Sequence, residues 1–192
     1  MSEPDRRVYL AGPEVFLPDA TALLASKKAI CAEAGLVGVS PFDNEVSGMG
    51  GGEATAFAIY RGNLGSMLSC GFAIANITPF RGVSVDPGTA FEVGYMSALS
   101  RPVFAYSNEP LEYAARTRKA VSSDPLVVRD TVADIAVEDF GLADNLMIAC
   151  GVEEGGGRTF VADEPVADRW RDLSLFRACV AEIAVMRSRG KD

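Results

Sequence analysis

Two carboxylates, Asp86 and Glu92, stand in the stretch Asp86-Pro87-Gly88-Thr89-Ala90-Phe91-Glu92-Val93-Gly94-Tyr95. An apolar run over 72–77 precedes it and reads as a buried strand, and a helical pattern over 91–99 follows. The connection over 78–87 carries Gly82 and two prolines, which neither a central strand nor a helix interior tolerates. Both carboxylates therefore fall where a strand hands over to a helix, the edge at which open parallel sheets bind ligands. An ionised carboxylate there can act as a nucleophile, and a second can move a proton. Thr89-x-x-Glu92 also fits a capping box, in which both side chains satisfy backbone N–H groups at a helix start. On either reading Glu92 is expected in the first helical turn, where the macrodipole favours its charged form. The stretch alone leaves catalysis and capping both open.

The rest of the composition narrows the chemistry. The 192 residues suit a single domain over 1–192, with 48% hydrophobic and 23% charged residues. A net charge of −8 argues against binding nucleic acid or an anionic membrane. No apolar run approaches a membrane span and the first residues lack a secretory h-region, so a cytoplasmic protein is expected. Cys31, Cys70, Cys150 and Cys179 are widely spaced and read as reduced core thiols. There is no histidine. That removes Ser-His-Asp and Cys-His nucleophiles and histidine-ligated metals, leaving carboxylates, tyrosines, lysines, cysteines or the substrate to move protons.

The elements that must hold these carboxylates follow from periodicity. Strands are expected at 7–11, 36–40, 72–77, 103–106 and 159–161, with a possible extended piece at 126–128. Helices are expected at 20–34, 53–70, 91–99, 111–121, from about 145, and at 168–186. Strand–helix–strand at these lengths implies right-handed crossovers and a parallel sheet. Lys27 falls in phase with the apolar stripe Leu23, Leu24, Ile30, Cys31, so its stem is expected along the core with its ammonium snorkelling out. Gly62 and Gly65 weaken the second helix around Asn63. The loop ending Gly48-Met49-Gly50-Gly51-Gly52 lacks a phosphate-binding signature and is a hypothetical lid. Trp170 is expected to anchor the last helix to the core, and 187–192 to be a frayed tail.

Three separated pieces then form one pattern: Tyr9-Leu10-Ala11-Gly12-Pro13-Glu14-Val15-Phe16; Asn76-Ile77-Thr78-Pro79-Phe80-Arg81-Gly82 leading into Asp86-x-Gly88-Thr89-x-x-Glu92-x-Gly94-Tyr95; and Asp139-Phe140-Gly141-Leu142 leading into Asn145-Leu146-Met147. Together, from residue 8 to about 148, they resemble the nucleoside 2-deoxyribosyltransferase family. The resemblance implies a flavodoxin-like α/β fold, a parallel sheet flanked by helices. It implies exchange of the base of a 2′-deoxynucleoside by double displacement, without metal or cofactor. Glu92 matches the nucleophile that forms a deoxyribosyl ester, Asp86 the carboxylate that contacts the base and supplies its proton, and Tyr9 the hydroxyl bonded to the nucleophile. Gly12 and Phe16 match the base pocket, and Asn76 and Gly88 fall within the substrate-binding motif. Asn145 and Met147 match residues that reach a neighbouring subunit's site, implying a homo-oligomer. At the second-helix position where the family often has a base-recognising aspartate, this chain has Asn63.

Each residue also has a plainer role: Tyr9 and Met147 as core, Asn145 as a helix cap, Asp86 as a turn aspartate. Their joint appearance in this order is what favours function. Two other functions fit the same fold. One is a 2′-deoxynucleoside 5′-monophosphate N-glycosidase, against which Glu14 would repel the phosphate, although Arg81 offers one contact. The other is a non-catalytic nucleoside sensor, against which stand Glu92, Asp86 and Tyr9.

Overall fold

The computed structural model describes residues 6–44, 51–123 and 136–189. Five strands form one wholly parallel sheet: β1 (Arg7–Ala11), β2 (Val37–Val39), β3 (Phe72–Asn76), β4 (Val103–Ser107) and β5 (Arg158–Val161), in the order β2-β1-β3-β4-β5. Between and after them run α1 (Ala20–Glu33), α2 (Glu53–Leu68), α3 (Pro87–Ala98), α4 (Tyr113–Ser123), α5 (Leu146–Glu154) and α6 (Ser174–Arg189). This is the flavodoxin-like order expected from the alternation of strand and helix. Residues 48–50 of the hypothetical lid loop 48–52 and the extended piece at 126–128 lie outside the described residues.

The sheet's two faces differ in side-chain size. Val8, Leu10, Phe72, Ile74, Phe104 and Tyr106 face one way and pack with Ile30 and Cys31 of α1 and Phe176, Cys179, Val180 and Ile183 of α6. The alternate residues Tyr9, Ala11, Ala73, Ala75, Val103 and Ala105 face the other, beneath Met67 of α2, Val93 and Met96 of α3 and Val152 of α5. The period of two places each set on its face. With alanines on that face, α3 can pack close to β1 and β3. Strand neighbours diverge between β1 and β3, since β1 is followed by β2 on one side and β3 lies on the other. That reversal makes a crevice at the strands' carboxyl ends.

Several expectations are corrected by packing. The last helix begins at Ser174, not 168, because Asp168 and Asp172 hold the preceding turns by accepting from the backbone N–H groups of Trp170 and Ser174. It continues through Arg189, so 187–189 belong to a helical turn rather than a tail. Cys31, Cys70 and Cys179 are buried, but Cys150 lies on the outer side of α5 and is exposed. α2 runs unbroken through both glycines, with Phe57, Tyr60 and Leu68 of its apolar stripe about half exposed.

Lys27 does not snorkel. It is 2% exposed and pairs with the equally buried Glu14, which also accepts from Asn76 Nδ2 at 2.8 Å and Tyr106 Oη at 3.0 Å. Its ammonium lies over the rings of Tyr106 and Phe176 at 5.4 and 5.1 Å. A buried ion survives when paired and hydrogen-bonded, which a solvent-seeking ammonium would forgo. Glu14, contributed by a 3-10 turn over Pro13–Phe16, is therefore charge-matched from within and absent from the cleft lining, rather than turned outward to repel phosphate.

Candidate active site

A cleft of about 570 Å³ opens at the carboxyl ends of the strands, lined by Gly12, Val15, Phe16, Pro41, Phe42, Asn44, Ile59, Asn63, Asp86, Gly88, Thr89 and Glu92. It gathers residues from four segments, the turns after β1 and β2, the middle of α2 and the start of α3, at the crevice between β1 and β3. Gly12 closes β1 where a side chain would collide with the carboxylate of Glu14, an added Cβ lying 2.0 Å from Glu14 Oε2. Phe16 stacks on Phe80 with ring centroids 5.4 Å apart, and Trp170 meets Phe80 edge-on at 5.6 Å. Trp170 therefore braces the aromatic wall of the cleft instead of anchoring α6 in the core. The Arg81 guanidinium covers both phenylalanine rings at 4.7 Å.

The capping box is replaced by a different cap. Asp86 is the N-cap of α3, its Oδ2 accepting from the N–H groups of Gly88 at 3.0 Å and Thr89 at 3.2 Å, with Pro87 at the first helical position. Asp-Pro is a stronger start signal than the threonine downstream, because proline is preorganised at N1 and lacks the N–H that would go unpaired there. Glu92 thus falls in the second turn, not the first, and is free of capping duty. Asp86 serves two ends at once: Oδ2 caps, and Oδ1 has no hydrogen-bond partner among the described residues.

Glu92 Oε1 accepts a hydrogen bond from Tyr9 Oη at 2.5 Å, joining the middle of β1 to α3. Tyr9 is fully buried, and burial first, then the Glu92 charge, hold its hydroxyl protonated far above the usual tyrosine range. Burial also pushes the Glu92 carboxyl up to about 7; the charges of Asp86 and Glu14 add to the rise and the Tyr9 hydrogen bond opposes it. The geometry is that of a carboxylate oriented by one donor, with its second oxygen unpaired by any described residue and its titration centred near neutrality.

The loop that delivers Asp86 is tied down from behind. Buried Asp144 accepts from Ser84 Oγ, the Val85 N–H at 2.9 Å and the Asn145 N–H at 2.8 Å, with Arg116 3.5 Å away. Arg116 in turn donates to the carbonyls of Val83, Leu111 and Ala143. Burial raises the Asp144 carboxyl against the lowering effect of these donors. One buried pair thus joins the approach to α3 with the start of α5.

Of the residues singled out in the sequence, Gly12, Phe16, Asn63, Asp86, Gly88 and Glu92 line the cleft, and Tyr9 lies behind Glu92. Asn76, Asn145 and Met147 do not. Asn76 is buried, donating to Glu14 and accepting from the Thr78 N–H at 3.0 Å. Asn145 caps α5 by accepting from the Met147 N–H at 3.0 Å and donates to Glu138. Met147 is 74% exposed. Asn44, Phe42 and Ile59 line the cleft without having been marked in the sequence; loop and helix positions of these types carry no local signal of that role. Among the described residues, no three Cys, Asp or Glu side chains come together as a metal site, and no helix is long and apolar enough to cross a membrane.

A paired-carboxylate cleft at the switch point of a doubly wound sheet defines a class of α/β protein suited to acid–base and nucleophilic chemistry on a small ligand. The family model described as nucleoside 2-deoxyribosyltransferase matches residues 8–147, and the chain belongs to that family. An uncharacterized protein of Schizosaccharomyces pombe is 39% identical over 114 residues, covering 58% of this chain and 54% of that protein. The chain thus spans about half the length of this curated relative. The solved 2-desoxiribosyltransferase from Leishmania mexicana is 28% identical, with a TM-score of 0.65 over 94% of this chain and 97% of that one. A conserved protein from Enterococcus faecalis, 16% identical with a TM-score of 0.53 over 92% and 97% of the two chains, shares the fold.

Proposed function

We propose that the protein transfers 2-deoxyribose between nucleobases of 2′-deoxynucleosides through a covalent intermediate on Glu92. The observation that carries this reading is the Tyr9-oriented Glu92 carboxylate in one cleft with Asp86, in a chain of this family. In the first displacement Glu92 attacks the anomeric carbon. The glycosidic C–N bond breaks, its electron pair leaves with the base, and the base nitrogen takes a proton from Asp86 or a water beside it. A second base then attacks the same carbon, the ester bond breaks towards Glu92, and the incoming base loses its proton by the reverse route. Two inversions retain configuration, as in retaining glycosidases. Tyr9 donates to Glu92 without neutralising it, which orients the nucleophile. The apolar lining from Val15, Phe16, Phe42 and Ile59 accommodates a planar base and disfavours bulk water at the ester.

The active unit in this reading is an oligomer. The start of α5, with Asn145 and exposed Met147, lies outside the cleft lining of its own chain and is assigned to a neighbour's site. Incubation with thymidine or deoxyguanosine and free hypoxanthine tests the function. Deoxyinosine in the products supports transfer. Free deoxyribose as the sole new sugar species replaces transfer with hydrolysis, and unchanged substrates leave only a binding role.

A further inference from the structure

Asn44 and Asn63 meet side by side in the cleft lining, and their amides can be oriented from their neighbours. Asn44 Nδ2 donates to the Pro41 carbonyl at 3.2 Å and to Asn63 Oδ1 at 2.8 Å, while Asn44 Oδ1 accepts from Ser66 Oγ at 2.9 Å. The Pro41 carbonyl can only accept, so the Asn44 edge facing it must be the NH₂. Turning that amide over would set oxygen against oxygen; the Ser66 hydroxyl rotates to suit either way. With Asn44 presenting hydrogens, the Asn63 atom that meets it must be oxygen. Asn44 Nδ2 thus donates both ways, to the Pro41 carbonyl and to Asn63 Oδ1, which leaves the NH₂ as the uncommitted end of the Asn63 amide in the cleft lining. Asn63 Nδ2, with two hydrogens, has no partner among the described residues. Gly62 makes the contact possible, since a Cβ there would lie 2.8 Å from Asn44 Cγ.

We infer that Asn44 locks the Asn63 amide so that it offers the cleft a hydrogen-bond donor, which selects nucleobases bearing a carbonyl oxygen, such as 6-oxopurines, over their exocyclic-amine counterparts. This rests on the transferase reading and adds the substrate class to it. A donor facing an amine leaves both groups unpaired in a cleft walled by Phe16, Phe42 and Ile59, and unpaired polar groups discriminate more strongly than lost apolar contact. A carboxylate at this position only accepts while ionised, so Asn63→Asp reverses the polarity and favours the amine.

The experiment is a competition: the purified 192-residue chain, thymidine or deoxyguanosine as donor in separate runs, and equimolar hypoxanthine and adenine as acceptors. The ratio of deoxyinosine to deoxyadenosine is read by chromatography. The wild type should favour deoxyinosine by about tenfold or more. Asn63→Asp should shift the ratio towards deoxyadenosine. Asn44→Ala, which frees the Asn63 amide to turn, should bring the ratio towards unity, with circular dichroism reporting that the fold is kept. A wild-type ratio near one, or one favouring deoxyadenosine, overturns the inference and leaves the transferase reading standing. A wild-type preference that Asn44→Ala does not alter overturns the orienting role of Asn44. No product nucleoside from either donor overturns the transferase reading and this inference with it.

Discussion

Glu92 is held in tension between burial, which disfavours its charge, and the Tyr9 hydroxyl, which favours it. With its carboxyl at about 7 in the folded chain against an ordinary carboxylate value of 4.5, the folded protein binds the extra proton between those two values. Stability is therefore unaffected below about pH 4.5, declines as pH rises towards 7, and carries the full penalty above it. Glu92→Gln should abolish transfer and stabilise the fold by about 1–3 kcal/mol at about pH 8.5, with the difference vanishing near pH 4.5; thermal melts across pH would show it. A variant whose advantage over the wild type is no larger at high pH than at low would contradict the burial argument. In the proposed mechanism Glu92 must be ionised in the free enzyme, so kcat/KM should rise through an acid limb centred near pH 7. Tyr9→Phe removes the donor that stabilises the charged form, so that limb should move to higher pH. An unshifted limb would mean that Tyr9 does not act on Glu92's charge.

Asp86 shows how one side chain serves helix and cleft together. Asp86→Asn keeps an N-cap acceptor and should melt close to wild type, whereas Asp86→Ala should lose about 1 kcal/mol. Both should lose exchange activity if the carboxylate is the proton donor, so comparing melts with turnover separates the two duties. Behind the cleft floor, the buried Glu14–Lys27 pair links the 3-10 turn to α1. Lys27→Met alone strands a buried carboxylate and should cost about 3–5 kcal/mol in urea unfolding. The double variant Glu14→Gln/Lys27→Met should recover much of that loss. If the single and double variants unfold alike, the pair is not what makes Lys27 matter.

At the level of the assembled protein, Met147, Phe140 and Phe91 all stand exposed, at 74%, 66% and 49%. The proposed oligomer covers at least the first of these in a neighbour's site. If sites are shared, Glu92→Ala and Asn145→Ala protomers, each inactive alone, should regain activity when mixed. Freely exchanging dimers would reach about a quarter of the wild-type rate, since half the dimers are mixed and each has one intact site. Mixtures that stay inactive while the wild type sediments as an oligomer would place Asn145 in its own chain's architecture only.

Strand and helix alternation, the α/β class and the carboxylate stretch were legible in the residue order because period, length and turn residues are local properties. The family pattern was legible too, since motif order survives without coordinates. Other features required three dimensions, because they depend on partners remote in the chain. Lys27 looked like a snorkelling stem until Glu14, Tyr106 and Phe176 closed around it. Trp170 looked like a core anchor until its contact with Phe80 placed it behind Phe16 of the cleft wall. The start of α3 looked like a Thr-x-x-Glu capping box with Asp86 as a turn aspartate, but the folded chain caps with Asp86, whose following proline needs no N–H partner. Which end of Asn63 meets a ligand depends on a loop asparagine and one carbonyl, groups that only folding brings within hydrogen-bond reach.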